Sequence, residues 1–169
     1  MSGITVRRID SLDRVQIEQL SDILVGVVNA GASVGFLPPL NHRDATGYWE
    51  QVLGPATVLL IAEQDGRIVG TGQLDLAMRA NGRYRAEVCK VLVHPAEQGK
   101  GIGKALMRAL EDEAHHEGRT LLHLDTNEGD KSNRLYLSAG YTPVGTIPNW
   151  AIGGDGKLHG TTFYYKVLN

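Results

Sequence analysis

Three glycines, Gly99, Gly101 and Gly103, fall within five residues, directly after the strand-like run Val91–His94 and directly before a helical run. Glycine lets the backbone approach a bulky group and turn its N–H groups toward it. A helix start adds unpaired N–H donors and the positive end of its dipole. Strand, glycine loop and helix N-terminus together make an anion cradle, most often for phosphate or pyrophosphate. Lys100 and Lys104 could add charge there, or could equally be solvated. Two common phosphate motifs fail by counting. The dinucleotide fingerprint requires a third glycine where Lys104 stands, and the nucleotide P-loop requires Gly at Gln98 and Ser or Thr at Ala105. Elsewhere, His123 and Asp125 stand two apart in an apolar run and so share one strand face. They could bind a cation or relay a proton, while His123 could equally be a packed, hydrogen-bonded histidine. Cys89 is the only cysteine, which excludes an internal disulfide and a thiolate zinc site and fits a reducing cytoplasm. A buried cysteine is usually inert packing, so no covalent acyl-enzyme is expected at Cys89.

The elements that must hold these residues follow from periodicity. Ile4–Ile9 reads as a strand, Leu12–Asn29 as an amphipathic helix, 31–39 as a loop and Arg43–Leu53 as a second helix. Val58–Glu63, Arg67–Ala77 and Arg85–His94 read as three antiparallel strands, joined by tight turns at Asp65-Gly66 and Asn81-Gly82. The helix Ile102–Glu117 and the strand Leu121–Thr126 complete a parallel crossover with Arg85–His94. A short helix, Ser132–Ala139, precedes the strands Tyr141–Ile147 and Thr161–Val167, which Asp155-Gly156 connects. The expected fold is therefore α/β: one domain over residues 1–169, with a mixed, mostly antiparallel sheet of seven strands and four helices on both faces. The composition, 42% hydrophobic and 21% charged, is that of a soluble globular protein. A net charge of −2 offers no basic face for nucleic acid. Residues 1–10 show no apolar signal segment and no run approaches a membrane span, so a cytoplasmic protein without membrane partners is expected.

The remaining pattern, Gln98-Gly99-Lys100-Gly101-Ile102-Gly103 on a strand–loop–helix unit, resembles the GNAT superfamily of acetyl-CoA-dependent N-acetyltransferases. Its loop, Arg or Gln-x-x-Gly-x-Gly or Ala, is matched by Gln98, Gly101 and Gly103, and its Tyr-x-x-x-Gly-aromatic signature by Tyr136, Gly140 and Tyr141. The order of elements along the whole chain is also that of the superfamily. The stretches 31–36, 85–88, 122–126 and 155–159 further resemble the branch that contains the tabtoxin-resistance acetyltransferase.

The resemblance implies acetyl-CoA as cosubstrate and no metal. It implies a pyrophosphate held by N–H groups from Gln98, Gly99, Lys100, Gly101, Ile102, Gly103 and Lys104, and a pantetheine arm paired with Leu92 and Val93 like an added strand. Asn127 is a candidate amide contact to that arm. Many members carry asparagine where this chain has Gly129, and Asn133 could substitute or simply be solvated. Glu87 stands where the superfamily's histone acetyltransferases carry their glutamate base, among Val88, Val91 and Val93; a salt bridge to Arg83 or Arg85 is the other reading. A base is needed because deprotonating an alkyl amine at pH 7 costs about 4.6 kcal/mol. Asp125 is a second candidate, and Tyr136 would support the leaving thiolate. Phe36, Tyr48, Trp49, Tyr84 and Trp150, with His123 and Asp125, are candidate acceptor contacts, although any one of the aromatics could be core. The acidic complement of Asp44, Glu87 and Asp125 suits a cationic amine, and the branch resemblance points to a small amino-acid-like or antibiotic amine, attacked in a ternary complex. The alternatives are a peptide or protein acetyltransferase and a non-catalytic acetyl-CoA sensor. The sequence leaves the oligomeric state open, although homodimers are common among members of the superfamily.

Overall fold

A computed structural model describes residues 3–169. The chain runs β1 (Thr5–Ile9), α1 (Arg14–Asn29), α2 (His42–Glu50), β2 (Thr57–Gln64), β3 (Arg67–Leu76), β4 (Arg85–Val93), α3 (Ile102–His116), β5 (Leu121–Asn127), α4 (Ser132–Ser138), β6 (Thr142–Ile152) and β7 (Leu158–Val167). Among the described residues seven strands form one sheet in the order β1-β2-β3-β4-β5-β7-β6, in which β4 and β5 are the only parallel neighbours. This is the mixed α/β architecture expected from the periodicity.

Alternation along the strands divides the core between the two faces. Leu59, Ile61 and Leu92 face α1 and α2, where Leu20, Ile23, Leu24 and Trp49 cover them. Leu60, Leu74, Val88 and Leu122 face α3 and α4, where Leu106, Leu110 and Tyr136 cover them. Asp13 caps α1 through a reciprocal pair of bonds with Gln16, so the helix starts two residues later than Leu12. The start of α3 is set by the sheet beneath it. A Cβ at Gly70 of β3 would lie 2.9 Å from Ile102 Cγ2, so this glycine lets the helix sit close and fixes the end that carries the loop.

Two expectations are corrected. Asn81-Gly82 belongs to a 3₁₀ turn, 80–82, within a longer connection rather than a two-residue hairpin. The buried guanidinium of Arg119 donates to the carbonyls of Ala77 and Arg83, which holds both ends of that connection outside the strand ladder. The last two strands also extend beyond Ile147 and before Thr161. Pro143 and Pro148 look like breakers in sequence, but β6 is an edge strand, where a missing N–H is tolerated.

The feature that makes a site is a failure of pairing. β4 and β5 are in register only over Arg85–Glu87 and Leu121–His123. Beyond Glu87, β4 continues beside β3 while Asp125–Asn127 continues beside β7, so the two strands part and leave a wedge. Within β4 the register against β3 slips between Cys89 and Leu92, a bulge at which Lys90 takes a positive φ of 50°. None of the described helices is long and apolar enough to cross a membrane.

Candidate active site

The wedge opens into a cleft of about 500 Å³. Its walls are Glu87–Val93 of β4, Asp125–Asn127 at the end of β5, Tyr136 of α4, the 30–35 segment after α1, and Gln98 with Lys131 at the mouth. A smaller depression of about 370 Å³, lined by Arg8, Asp10, Leu53 and Glu117, lies apart from all of these.

At one end stands the glycine loop. Gly101 is the N-cap residue of α3 with φ +82°, and Gly99 has φ +80°. A side chain at position 101 would be strained in this left-handed conformation, yet its Cβ would meet nothing within 4 Å. The ground above the loop is open. The first helical N–H with a partner is that of Ala105, bonded to the Gly101 carbonyl at 3.1 Å. The N–H groups of Ile102, Gly103 and Lys104 therefore project from the helix end. The Ile102 side chain is buried in the core, so only its N–H faces the loop. The Gln98 carboxamide donates to the Val93 carbonyl at 3.3 Å and accepts from Lys131 Nζ at 2.5 Å. Lys131 thus stands at the anion end, a placement with no signal in the sequence. Lys100, by contrast, is drawn to Glu97 at 2.6 Å, which neutralises the charge expected from it, while Lys104 is exposed.

Along the wedge, Leu92 pairs with Thr71 and Val93 with Gly70 on one edge, while their other edge faces the gap left by β5. Asn127 lines the opposite wall. Asn133 does not line it. Its Nδ2 donates to the carbonyls of Asn127 at 3.0 Å and Asp130 at 2.7 Å, and its Oδ1 accepts from the Tyr164 hydroxyl at 2.6 Å. This residue, open in the sequence between a substitute cofactor contact and a solvated helix position, is engaged within the protein as the clasp of the 127–133 turn. Asn133→Ala should lower Tm by several degrees, about 1–3 kcal/mol, without the loss of acetyl-CoA affinity that a direct contact would show. Thermal unfolding and calorimetry check both halves.

At the other end lie the acid–base groups. Glu87 is half-buried in a row across the sheet, with Asp75 beside it on β3 and His123 beside it on β5. Burial pushes its carboxyl above the ordinary range; His123 opposes this, and the negative charges of Asp125 and Asp75 add to it. Neither Arg83 nor Arg85 forms an ion pair with it among the described residues. Asp125 lines the cleft and accepts from Thr161 Oγ1 at 2.9 Å. Tyr136 is buried against Tyr141 and Tyr164, and its hydroxyl has no partner among the described residues. Burial, then Asp130 and Asp125, push that phenol well above its usual value, so it is a neutral donor at physiological pH. Cys89 is also pushed far up by burial and by Asp75, which leaves no thiolate for covalent chemistry.

The expected aromatic wall differs. Trp49 is 1% exposed and belongs to the core under α2, so it does not reach the cleft. Phe36 meets Tyr48 edge-on at 5.5 Å, and Tyr48 donates to Gln73 Oε1 at 2.8 Å, forming a layer behind the cleft. His123 flanks Glu87 without lining the cleft. Of the acceptor-side aromatics expected from the sequence, Trp150 of β6 does line the cleft, edge-on to Phe163 at 5.4 Å. Among the described residues no cluster of three or more His, Cys, Asp or Glu could hold a metal.

Anion-binding N–H donors at one end, a bare strand edge along the middle, and a carboxylate with a neutral phenol at the other fit a long cosubstrate with a phosphate anchor and a reactive terminus. Comparison with known proteins agrees. Residues 31–141 match the model of the acetyltransferase (GNAT) family. An uncharacterized N-acetyltransferase in the hisH-hisA intergenic region of Azospirillum brasilense is 29% identical, over 91% of this chain and 96% of its own length. An L-methionine sulfoximine/L-methionine sulfone acetyltransferase of Salmonella typhimurium is 34% identical over about half of each chain. The structure of yncA from Salmonella typhimurium with its cofactor acetyl-CoA superposes with a TM-score of 0.79 at 27% identity, over 99% of this chain and 95% of that one.

Proposed function

Since the chain belongs to the acetyltransferase (GNAT) family and is an acetyl-CoA-dependent N-acetyltransferase, we propose that its acceptor is the primary amine of a small, amino-acid-like or antibiotic molecule. The observation that carries this reading is the wedge itself. Its acceptor end is bounded by the 30–35 segment, Trp150 and the acidic pair Glu87 and Asp125, which suits a compact cationic amine. A relative named for acetylating methionine sulfoximine supports an amino-acid derivative, and so do the stretches resembling the tabtoxin-resistance branch.

Acetyl-CoA supplies an activated acyl thioester. In this reading the Gln98–Lys104 loop holds its pyrophosphate through the N–H groups at the start of α3, with Lys131 as the adjacent charge. Leu92 and Val93 offer the arm a strand edge, and Asn127 faces it from the far wall. Glu87 takes the proton from the ammonium, directly or through one water, and its raised carboxyl narrows the gap between base and amine. Asp125 holds the amine beside it. Tyr136 donates a hydrogen bond toward the departing sulfur. Because its phenol is pushed above the usual value of about 10, while a thiol lies near 8.5, stabilisation of the thiolate precedes any proton transfer.

Tyr136→Phe should lower kcat by about 10²-fold with acetyl-CoA affinity unchanged, measured by steady-state kinetics beside calorimetry. An unchanged kcat removes the role. Transfer from labelled acetyl-CoA to a panel of small amines and to peptides tests the substrate class. Small amines should be acetylated preferentially; acetylation of peptides alone ends the reading.

A further inference from the structure

The acceptor half of the cleft contains a charge that the chemistry above does not use. Lys90 sits on the β4 bulge with φ +50°, a conformation uncommon outside glycine, asparagine and aspartate. Bulges of this kind re-aim a side chain beside an active site. Here the bulge directs a half-buried ammonium to 5.7 Å from the Tyr48 ring centroid. It stands 3.7 Å from where a Cβ on Gly35 would be. Lys90 and Gly35 both line the cleft, and Lys90 follows Glu87 by three positions on β4.

Its partner is an aromatic face. Among the described residues no carboxylate forms an ion pair with it, although Glu87 is close enough to feel its charge. The other lysine on the cleft wall, Lys131, is occupied by Gln98 at the mouth. A half-buried ammonium without a counter-ion is costly to hold, and a ring quadrupole offsets only part of that cost. The acceptor end therefore presents both signs without pairing them: a free cation at Lys90, and anions at Glu87 and Asp125. A ligand that satisfies both is a zwitterion.

Resting on the small-amine reading, we propose that Lys90 is an anion subsite for the acceptor, binding a carboxylate carried by the same molecule whose amine is delivered to Glu87. The acceptor class narrows accordingly to free amino acids and their side-chain derivatives. Neutral or purely cationic amines, aminoglycosides among them, would leave Lys90 unmatched.

The test compares L-amino acids and L-methionine sulfone, each against its own carboxamide, in the native enzyme and in Lys90→Gln. Both members of a pair use the same base and the same cosubstrate. An altered Glu87 or a differing amine pKa therefore cancels in the change of their kcat/KM ratio between the two proteins. The native enzyme should favour the carboxylate by tenfold or more, the usual size of a charge-assisted hydrogen bond. Lys90→Gln should erase the preference while leaving the carboxamides within about twofold, and Lys90→Arg should restore part of it. Equal rates on acid and carboxamide in the native enzyme, or an equal loss on both in Lys90→Gln, overturn the subsite and leave the small-amine reading standing. Acetylation confined to peptides overturns both.

Discussion

Glu87→Gln should lower kcat by about 10²–10⁴-fold while acetyl-CoA binds as before. Glutamine keeps the shape and removes the proton acceptor, and position 87 lies among the acceptor-end groups of the wedge, apart from the glycine loop. Asp125 is the nearby carboxylate able to take over part of the work, so Asp125→Asn combined with Glu87→Gln should leave less activity than either alone. The pH profile carries the sign. The carboxyl of Glu87 is raised chiefly by burial, so kcat/KM should fall on the acid side as pH drops through a value above the ordinary glutamic acid of about 4.3. That limb should vanish in Glu87→Gln. Stability moves the opposite way. A raised carboxyl favours the folded state while protonated, below its unfolded pKa, and the benefit is lost as pH rises through the folded value. Glu87→Gln should therefore raise Tm at pH 7 and leave it unchanged near pH 4. A variant with native kcat and an intact acid limb would remove Glu87 from the chemistry.

The second large effect belongs to the opposite end of the cleft. Gly101→Arg should weaken acetyl-CoA binding by at least about 10²-fold, since a bulky side chain would fill the open ground over the helix start. The backbone strain of a left-handed arginine is about 1–2 kcal/mol, and its Cβ meets no neighbour within 4 Å, so the fold should survive with Tm lowered by a few degrees. Circular dichroism and calorimetry on the same sample separate the two outcomes. Retained affinity in a folded variant would place the pyrophosphate elsewhere.

What could be read from the residues alone divides along a physical line. The anion loop was legible because it is local: three glycines, a strand before them and a helix after them. The sheet and helices were legible because burial imposes periods of two and 3.6 on the chain. The wedge was not. It comes from two strands each choosing another neighbour, β3 for β4 and β7 for β5, and no single residue marks that choice. The Lys90 bulge likewise exists only as a register slip between partners. The surroundings of Asn133 and Trp49 are likewise set by the fold. The polar groups that claim Asn133 come from the 127–130 turn and from Tyr164 on β7, and the core that encloses Trp49 comes from α1 and the sheet. Lys131 reaches Gln98 across 33 positions of sequence. Charge–charge and hydrogen-bond geometry at the site is thus mostly long-range, whereas its cofactor loop is short-range.

Titration of uniformly ¹⁵N-labelled protein with acetyl-CoA, followed residue by residue through backbone amide shifts, tests the placement of the cosubstrate most directly. The wedge account predicts the largest changes at Gly99, Gly101, Ile102, Gly103 and Lys104, with Leu92, Val93 and Asn127 next. Shifts clustered instead around Arg8, Leu53 and Glu117, or none at saturating acetyl-CoA, would contradict it.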